Sequence, residues 1–211
     1  AGASLELNGK IDRVDAAVAG SARGNVAVID YKSSADRRLH LSDLYWGISL
    51  QLPVYAVVMA RLAQRPPLAA LYVPLGIRRG KTTDPADAAT PEEDAFYQTS
   101  KPRGIIDENG AAALDPAVTP RLADGAAVKS PWFNIGYNKG GAIGVRYDML
   151  HHDDFSLVLD YTTWKIAALA DELTGGRIVP APYRAAKVVP CDRCDFASLC
   201  PFDRAAGVYR D

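Results

Sequence analysis

Asp30 and Lys32 stand in the run VIDYKSS, and Asp12 stands in the run GKIDRVD ahead of it. Both runs are otherwise built from Ile and Val, the residues of a buried strand, so charge there needs a reason. Side chains alternate along a strand with a period of two. Asp30 and Lys32 therefore share one face and Tyr31 points to the other. Asp12 lies on the preceding strand, and a hairpin between the two brings it toward the face of Asp30. Two close carboxylates repel unless a cation sits between them. Mg2+ and Mn2+ take oxygen ligands of this kind. A lysine beside such a cation can orient an attacking water and offset charge on a phosphoryl group, which suits phosphodiester cleavage. A solvated strand surface with an Asp–Lys pair would use the same residues. A D-x-K triplet is common, and alone it favours that plainer reading.

Cys191, Cys194 and Cys200 form C-x2-C-x5-C near the C-terminus and are the three cysteines of the chain. An odd, clustered set is not a secreted disulfide framework. The spacing is that of metal ligands. Zinc would accept three thiolates and one other ligand, whereas an iron–sulfur cluster wants four thiolates. His40, His151 and His152 are not evidently placed to complete a zinc site, and three free thiols in a Pro-rich tail is the alternative.

The elements that must position these groups read as follows. Leu5 to Val18 alternates as a strand, and the turn GSARGN leads into a second strand, Val26 to Lys32, antiparallel to it. Arg13 and Asp15 fall out of phase with Asp12 and suit a structural ion pair that fixes the hairpin. Leu41 to Leu62 reads as a helix with Ser42 as N-cap, kinked or broken in two at Pro53. Leu68 to Gly76 is a third strand, and Thr82 to Glu93 a polar loop. Lys101 to Asn138 is mixed, and Ile143 to Val145 suits a short strand. Asp153 to Leu173 is a patterned helix ended by Gly175 and Gly176, with His151 and His152 a loop pair before it. The tail after Pro180 is loop-rich. These elements predict an α/β fold, a mixed sheet flanked by helices, in a single domain over residues 1–211 with 180–211 as the cysteine-bearing tail.

The bulk numbers agree. The chain has 211 residues, 48% hydrophobic and 23% charged, and a formal net charge of -1. That length can bury one core, and near-neutrality leaves only local basic patches for a polyanion. Arg37, Arg38, Arg78, Arg79, Lys81, Lys101, Arg103 and Lys129 are candidates for a phosphate-tracking groove, though such charges are more often solvated surface. Trp46, Trp132 and Tyr137 have base stacking or core packing open to them, and Thr162, Thr163 and Trp164 read as structural. No apolar run is long enough to cross a bilayer and no signal peptide opens the chain, which points to the cytosol. The abrupt start without Met suggests a fragment of a longer protein.

The series GKIDRVD, VIDYKSS and GISLQLPVY, with KPRGIID and PCDRCDFASLCPFD after it, resembles the PD-(D/E)XK nuclease superfamily. Within it, the series is similar to the RecB/AddB-like branch, and most to C-terminal nuclease domains of the AddB type. The resemblance runs from about Leu5 to the C-terminus. It implies a restriction-endonuclease-like core and divalent-metal-dependent hydrolysis of DNA. Asp12 and Asp30 would bind Mg2+ or Mn2+, the Tyr31 carbonyl would add a ligand, and Lys32 would be the motif lysine. Gln51 and Tyr55 match the Q-x-x-x-Y element, whose spacing of four sets both on one helical face. The resemblance also implies a [4Fe-4S] cluster on Cys191, Cys194 and Cys200, with a fourth cysteine and a further His or Glu metal ligand expected in a segment preceding Ala1. The implied work is exonucleolytic trimming of single-stranded DNA ends in bacterial double-strand break repair by recombination. It would be done in the cytoplasm, with a helicase region in the same polypeptide and a partner helicase–nuclease subunit. A stand-alone exonuclease of the CRISPR-adaptation type and a catalytically dead DNA-binding scaffold are the alternatives.

Overall fold

Val26–Lys32 (β2) is an interior strand of the sheet, and its Val-Ala-Val-Ile start is buried throughout. The computed structural model describes residues 5–34, 38–76, 101–120, 125–177, 179–184 and 190–209. Arg13–Ala16 (β1) pairs antiparallel with β2, and Pro67–Pro74 (β3) pairs parallel with it. Arg103–Asp107 (β4) runs antiparallel to β3, and Met149–Leu150 (β7) lies parallel to β4. The sheet is therefore mixed, in the order β1-β2-β3-β4-β7. A separate hairpin joins Val128–Lys129 (β5) to Gly136–Tyr137 (β6).

The sheet is covered on both faces, as the period of two requires. One face presents Val26, Val28, Ala70, Tyr72 and Ile105. Against it lie Leu52, Ala56 and Met59 of helix α2 (Gln51–Arg61) and Phe155, Val158 and Leu159 of helix α4 (His152–Thr174). Both sets recur at three- and four-residue spacing, the apolar stripe of an amphipathic helix. The other face presents Ala27, Ala69, Leu71 and Ile106 to Ala111 of helix α3 (Ala111–Leu114), Val118, Ile135 and Tyr137.

Several expected boundaries move. The first strand is only Arg13–Ala16, because the ladder lasts only where β2 lies alongside it. The helix expected from Leu41 to Leu62 is two, α1 (Leu41–Tyr45) and α2. The break falls before Pro53, at Gly47, whose φ of 76° only glycine adopts readily. Pro53 sits in the first turn of α2, where its missing N–H has no intrahelical acceptor to serve. Ser42 is inside α1, and His40 holds the N-cap position without a side-chain cap. Ile143 makes an isolated bridge to Tyr137, and the short strand forms later, at Met149–Leu150. Gly175 and Gly176 follow α4 as expected, Gly176 with a φ of 70°. The loop expected over Thr82 to Glu93 lies outside the described residues.

Residues Asn8–Lys165 form one compact unit, and Ala1–Leu7 with Ile166–Asp211 form another. In the second, Arg204 fastens the cysteine-bearing turn, donating to Asp192 at 3.0 Å and to the carbonyl of Cys191 at 2.5 Å. Phe202 and Tyr209 meet edge to face, 5.0 Å between centroids.

Two residues put this packing to the test. Gly104 lies across from Leu71, and a Cβ there would strike the Ala70 carbonyl. Gly104→Ala should cost about 3 kcal/mol, read as a lower urea midpoint with an unchanged slope. At the start of α4, His152 Nδ1 lies 2.6 Å from Asp107, and that hydrogen bond and charge raise the imidazole above its ordinary pKa. A raised folded value stabilises below about pH 6.5, and the gain is lost as pH rises through the folded value. The His152 side chain is 57% exposed, so screening keeps the effect small. The Tm should fall slightly across that window, and His152→Gln should flatten the dependence.

Candidate active site

β2 carries Asp30 and Lys32 on the face that packs against α2, continuing the phase of Val26 and Val28. Asp30 is only 3% exposed. A carboxylate so enclosed stays ionised only with donors or a cation beside it. Lys32 Nζ lies 2.5 Å from Asp30 Oδ2 and donates to Gln51 Oε1 at 2.8 Å. Gln51 Nε2 donates to Asp30 Oδ1 at 3.1 Å and to the Tyr55 hydroxyl at 3.1 Å. The amide supplies two donors and one acceptor, and all are used. Gln51 opens α2 and Tyr55 stands one turn on, so one helical face delivers both to β2.

Asp12 is met differently. Its Oδ2 accepts the backbone N–H of Tyr31 at 2.9 Å. β1 begins at Arg13, opposite Ile29, and the side chain of Asp12 just before it takes the backbone donor of Tyr31 on β2. The structure thus joins Asp30, Lys32, Gln51 and Tyr55 in one hydrogen-bonded chain and sets Asp12 at the peptide between Asp30 and Tyr31. Arg13 and Asp15 form the expected structural pair, two contacts of 2.7 Å, and Arg13 also reaches the Tyr31 hydroxyl at 3.3 Å.

Two further residues complete the surroundings. Tyr72, across the parallel ladder from Asp30, places its ring 5.2 Å from Lys32 Nζ. Gly9 lies against Tyr55, and a Cβ there would come within 3.2 Å of its ring. The sequence carries a faint signal for each, a tyrosine in the apolar run LAALYVPLG and a glycine opening GKIDRVD. Neither is readable without the register and the helix position.

Asp30 offers a test for a divalent cation. The Lys32 ammonium lies 2.5 Å from the enclosed Oδ2 and Gln51 serves Oδ1, so both oxygens of the buried carboxylate are compensated and it can stay ionised. Two carboxylates set at adjoining positions, Asp30 and the Asp12 that accepts from the next peptide, are oxygen donors of the kind a hard cation takes. Among the described residues, no group of three or more His, Cys, Asp or Glu side chains is disposed to hold one metal ion. That holds for the tail as well. Cys191, Cys194 and Cys200 are free thiols, linked by turns in which Cys194 N–H donates to Cys191 O at 3.4 Å and Cys200 N–H to Phe196 O at 2.9 Å. Their donor chemistry suits three of the four positions of an iron–sulfur cluster.

The other candidates disperse. Arg103 is held by Asp148 through two hydrogen bonds of 2.7 and 3.0 Å. Lys101 donates to the Ser130 carbonyl at 2.8 Å, and burial, with Lys129 and Arg103 nearby, lowers its pKa. Arg38 and Lys129 are exposed, and Arg37, Arg78, Arg79 and Lys81 lie outside the described residues. Tyr137 is core, Trp46 half-buried and Trp132 exposed. Thr162 and Thr163 bond back into α4 as structural residues do, but Trp164 is 59% exposed, against the expectation of a packed residue. His151 Nδ1 lies 3.1 Å from Glu108 and His152 Nδ1 2.6 Å from Asp107, and His152 belongs to the helix.

Curated relatives match almost the whole chain. It is 29% identical over 209 residues to an ATP-dependent helicase/deoxyribonuclease subunit of Clostridioides difficile, covering 96% of this chain and 18% of that protein. The ATP-dependent helicase/deoxyribonuclease subunits of Moorella thermoacetica and Caldanaerobacter subterraneus subsp. tengcongensis are 30% and 31% identical, each over 96% of this chain and 17% of theirs. The chain thus spans under a fifth of the length of these relatives. No helix among the described residues is long and apolar enough to cross a membrane. The family model of the PD-(D/E)XK nuclease superfamily matches residues 2–201, nearly the whole chain, and the chain belongs to this superfamily.

Proposed function

We propose that this chain is a divalent-metal-dependent deoxyribonuclease domain, an AddB-like nuclease that trims single-stranded DNA ends during recombinational repair in the bacterial cytoplasm. The observation that carries the reading is the enclosed Asp30 carboxylate, held through one oxygen by Gln51 and through the other by Lys32, with the Asp12 carboxylate at the adjoining peptide. Asp12 and Asp30, with the Tyr31 carbonyl, would hold Mg2+ or Mn2+. When bound, such an ion supplies Lewis-acid charge stabilisation and activates water.

The side chains supply the rest. Lys32 presents an ammonium fixed on one side by Gln51 and over the Tyr72 ring, so its remaining donor capacity is aimed and not mobile. It would orient the water or offset negative charge on the phosphoryl oxygens. Gln51 sets the spacing between Asp30 and Lys32. The Tyr55 hydroxyl accepts from Gln51, which leaves its own proton to donate, and a phosphate oxygen would take it. Gly9 keeps that ring approachable. The names of the relatives support a helicase region in the same polypeptide and a partner subunit that together deliver the strand.

In the intact protein that carries this chain, Asp30→Asn and Lys32→Ala should each lower Mg2+-dependent cleavage of single-stranded DNA at least about 100-fold, with DNA affinity within a few-fold of wild type. Wild-type cleavage by either variant would end this mechanism. A wild-type protein that binds DNA and never cleaves it would favour the scaffold reading. We further propose that Cys191, Cys194 and Cys200 ligate a [4Fe-4S] cluster in the intact protein. Anaerobically purified protein should then contain about four irons and four sulfides per chain and absorb in the visible, and Cys194→Ala should bleach it and lower the Tm. Stoichiometric zinc, or three titratable thiols and no iron, would refute the cluster.

A further inference from the structure

Tyr45 at the end of α1 and Tyr161 and Trp164 on α4 form a strip of aromatic rings. Tyr45 and Tyr161 are stacked, with centroids 5.9 Å apart and planes 10° apart. Tyr161 and Trp164, one turn apart, lie 5.4 Å from each other at 41°. The strip is pinned where it crosses between helices, because the Tyr161 hydroxyl donates to the Tyr45 carbonyl at 2.7 Å. Its two ends face solvent, Tyr45 at 55% and Trp164 at 59% exposure. Lys165 Nζ lies 5.6–5.8 Å from the centroids of all three rings. No carboxylate pairs with it among the described residues.

Exposed flat rings with an unpaired ammonium beside them fit one kind of partner well. A nucleobase stacks on a ring, and its phosphate meets the cation. Duplex DNA keeps its bases stacked inside and cannot use such a strip, whereas a single strand can. The helix that carries two of the rings, α4, covers the sheet face of Asp30 and Lys32. Leu39 before α1 and Phe155, Val158 and Leu159 of α4 pack on the sheet face that carries Asp30 and Lys32. Tyr45 is six residues before Gln51, so the two are at most about 20 Å apart even with the chain drawn out. That is a reach of a few nucleotides.

We propose that Tyr45, Tyr161, Trp164 and Lys165 form a base-stacking platform that holds single-stranded DNA next to the Asp30–Lys32 site. The proposal rests on the nuclease reading only for what happens to the strand; the binding itself is measured apart from cleavage. The test uses the intact protein with Asp30→Asn, in EDTA, and two fluorescent probes of equal length, an oligo(dT) and the same backbone without bases. The platform predicts tighter binding of oligo(dT) than of the abasic strand, with Trp164→Ala or Tyr45→Ala weakening oligo(dT) about tenfold and leaving the abasic strand unchanged. Trp164→Phe should restore most of the loss, which a folding defect would not allow. Lys165→Gln should weaken both probes and flatten the salt dependence. Equal binding of the two probes by wild type, or ring deletions that leave oligo(dT) affinity intact, would overturn the platform. So would a Trp164→Ala protein whose DNA binding is normal but whose partner subunit dissociates, since the rings would then be a protein interface. Failure of the nuclease reading looks different: base-dependent binding persists and wild type with Mg2+ cleaves nothing.

Discussion

A carboxylate buried inside a sheet governs this molecule. Asp30 is enclosed to the point where water cannot serve it, and an uncompensated charge there would cost several kcal/mol. Its neighbours therefore read as answers to one electrostatic demand. Lys32 supplies the charge, and the period of the strand delivers it to the same face. Gln51 supplies a neutral donor and, with its other end, keeps the lysine from drifting. Helix α2 must start where it does for Gln51 to arrive, and Gly47 ends α1 in time for that start. Each oxygen of the carboxylate thus has its own partner, Oδ2 the ammonium and Oδ1 the amide.

The two faces of the sheet divide the labour. The face toward α2 and α4 holds the charged pair at one end of an otherwise apolar surface. The opposite face is apolar throughout its cluster and is sealed by small elements. Close approach does the sealing. Gly104 lets β4 pass under the Ala70 carbonyl, and Gly110 does the same beneath Leu68. Such positions store no chemistry, but they set how closely β4 lies against β3, the strand that carries Tyr72.

Much of this is legible in the sequence, and the physical reasons for the gaps differ. Strand period alone sets Asp30 and Lys32 together, and a four-residue helical spacing sets Gln51 with Tyr55, because both rules are local. Arg13 with Asp15 is legible for the same reason. Alternation from Leu5 to Val18 overstates the first strand, because it records amphipathicity and not a partner, and β2 offers one for only part of that length. The helix break belongs to Gly47 and not to Pro53, since proline is harmless in a first helical turn. Tyr72 and Gly9 escape a sequence reading because each acts across a non-local register. Trp164 misleads because a helix pattern says which residues share a face and nothing about whether a neighbour covers it. The same limit hides the Asp107–His152 and Glu108–His151 pairs, which join residues more than forty positions apart.

Chain order also sets an order of assembly. β1 and β2 are joined by a short turn and can pair early, as hairpins do. β3 runs parallel to β2, and a parallel partner arrives only after a long crossover, here the one that contains α1 and α2. Until then the second edge of β2 is an unpaired run of Val, Ala, Val and Ile, the kind of edge to which another chain adds a strand. Asp30 and Lys32 sit in that edge while it waits. Charged residues in an exposed strand oppose such intermolecular pairing. In any state where that edge stands open, the pair proposed as catalytic would also oppose intermolecular pairing, so that neutralising both at once would remove a protection against aggregation together with the charge.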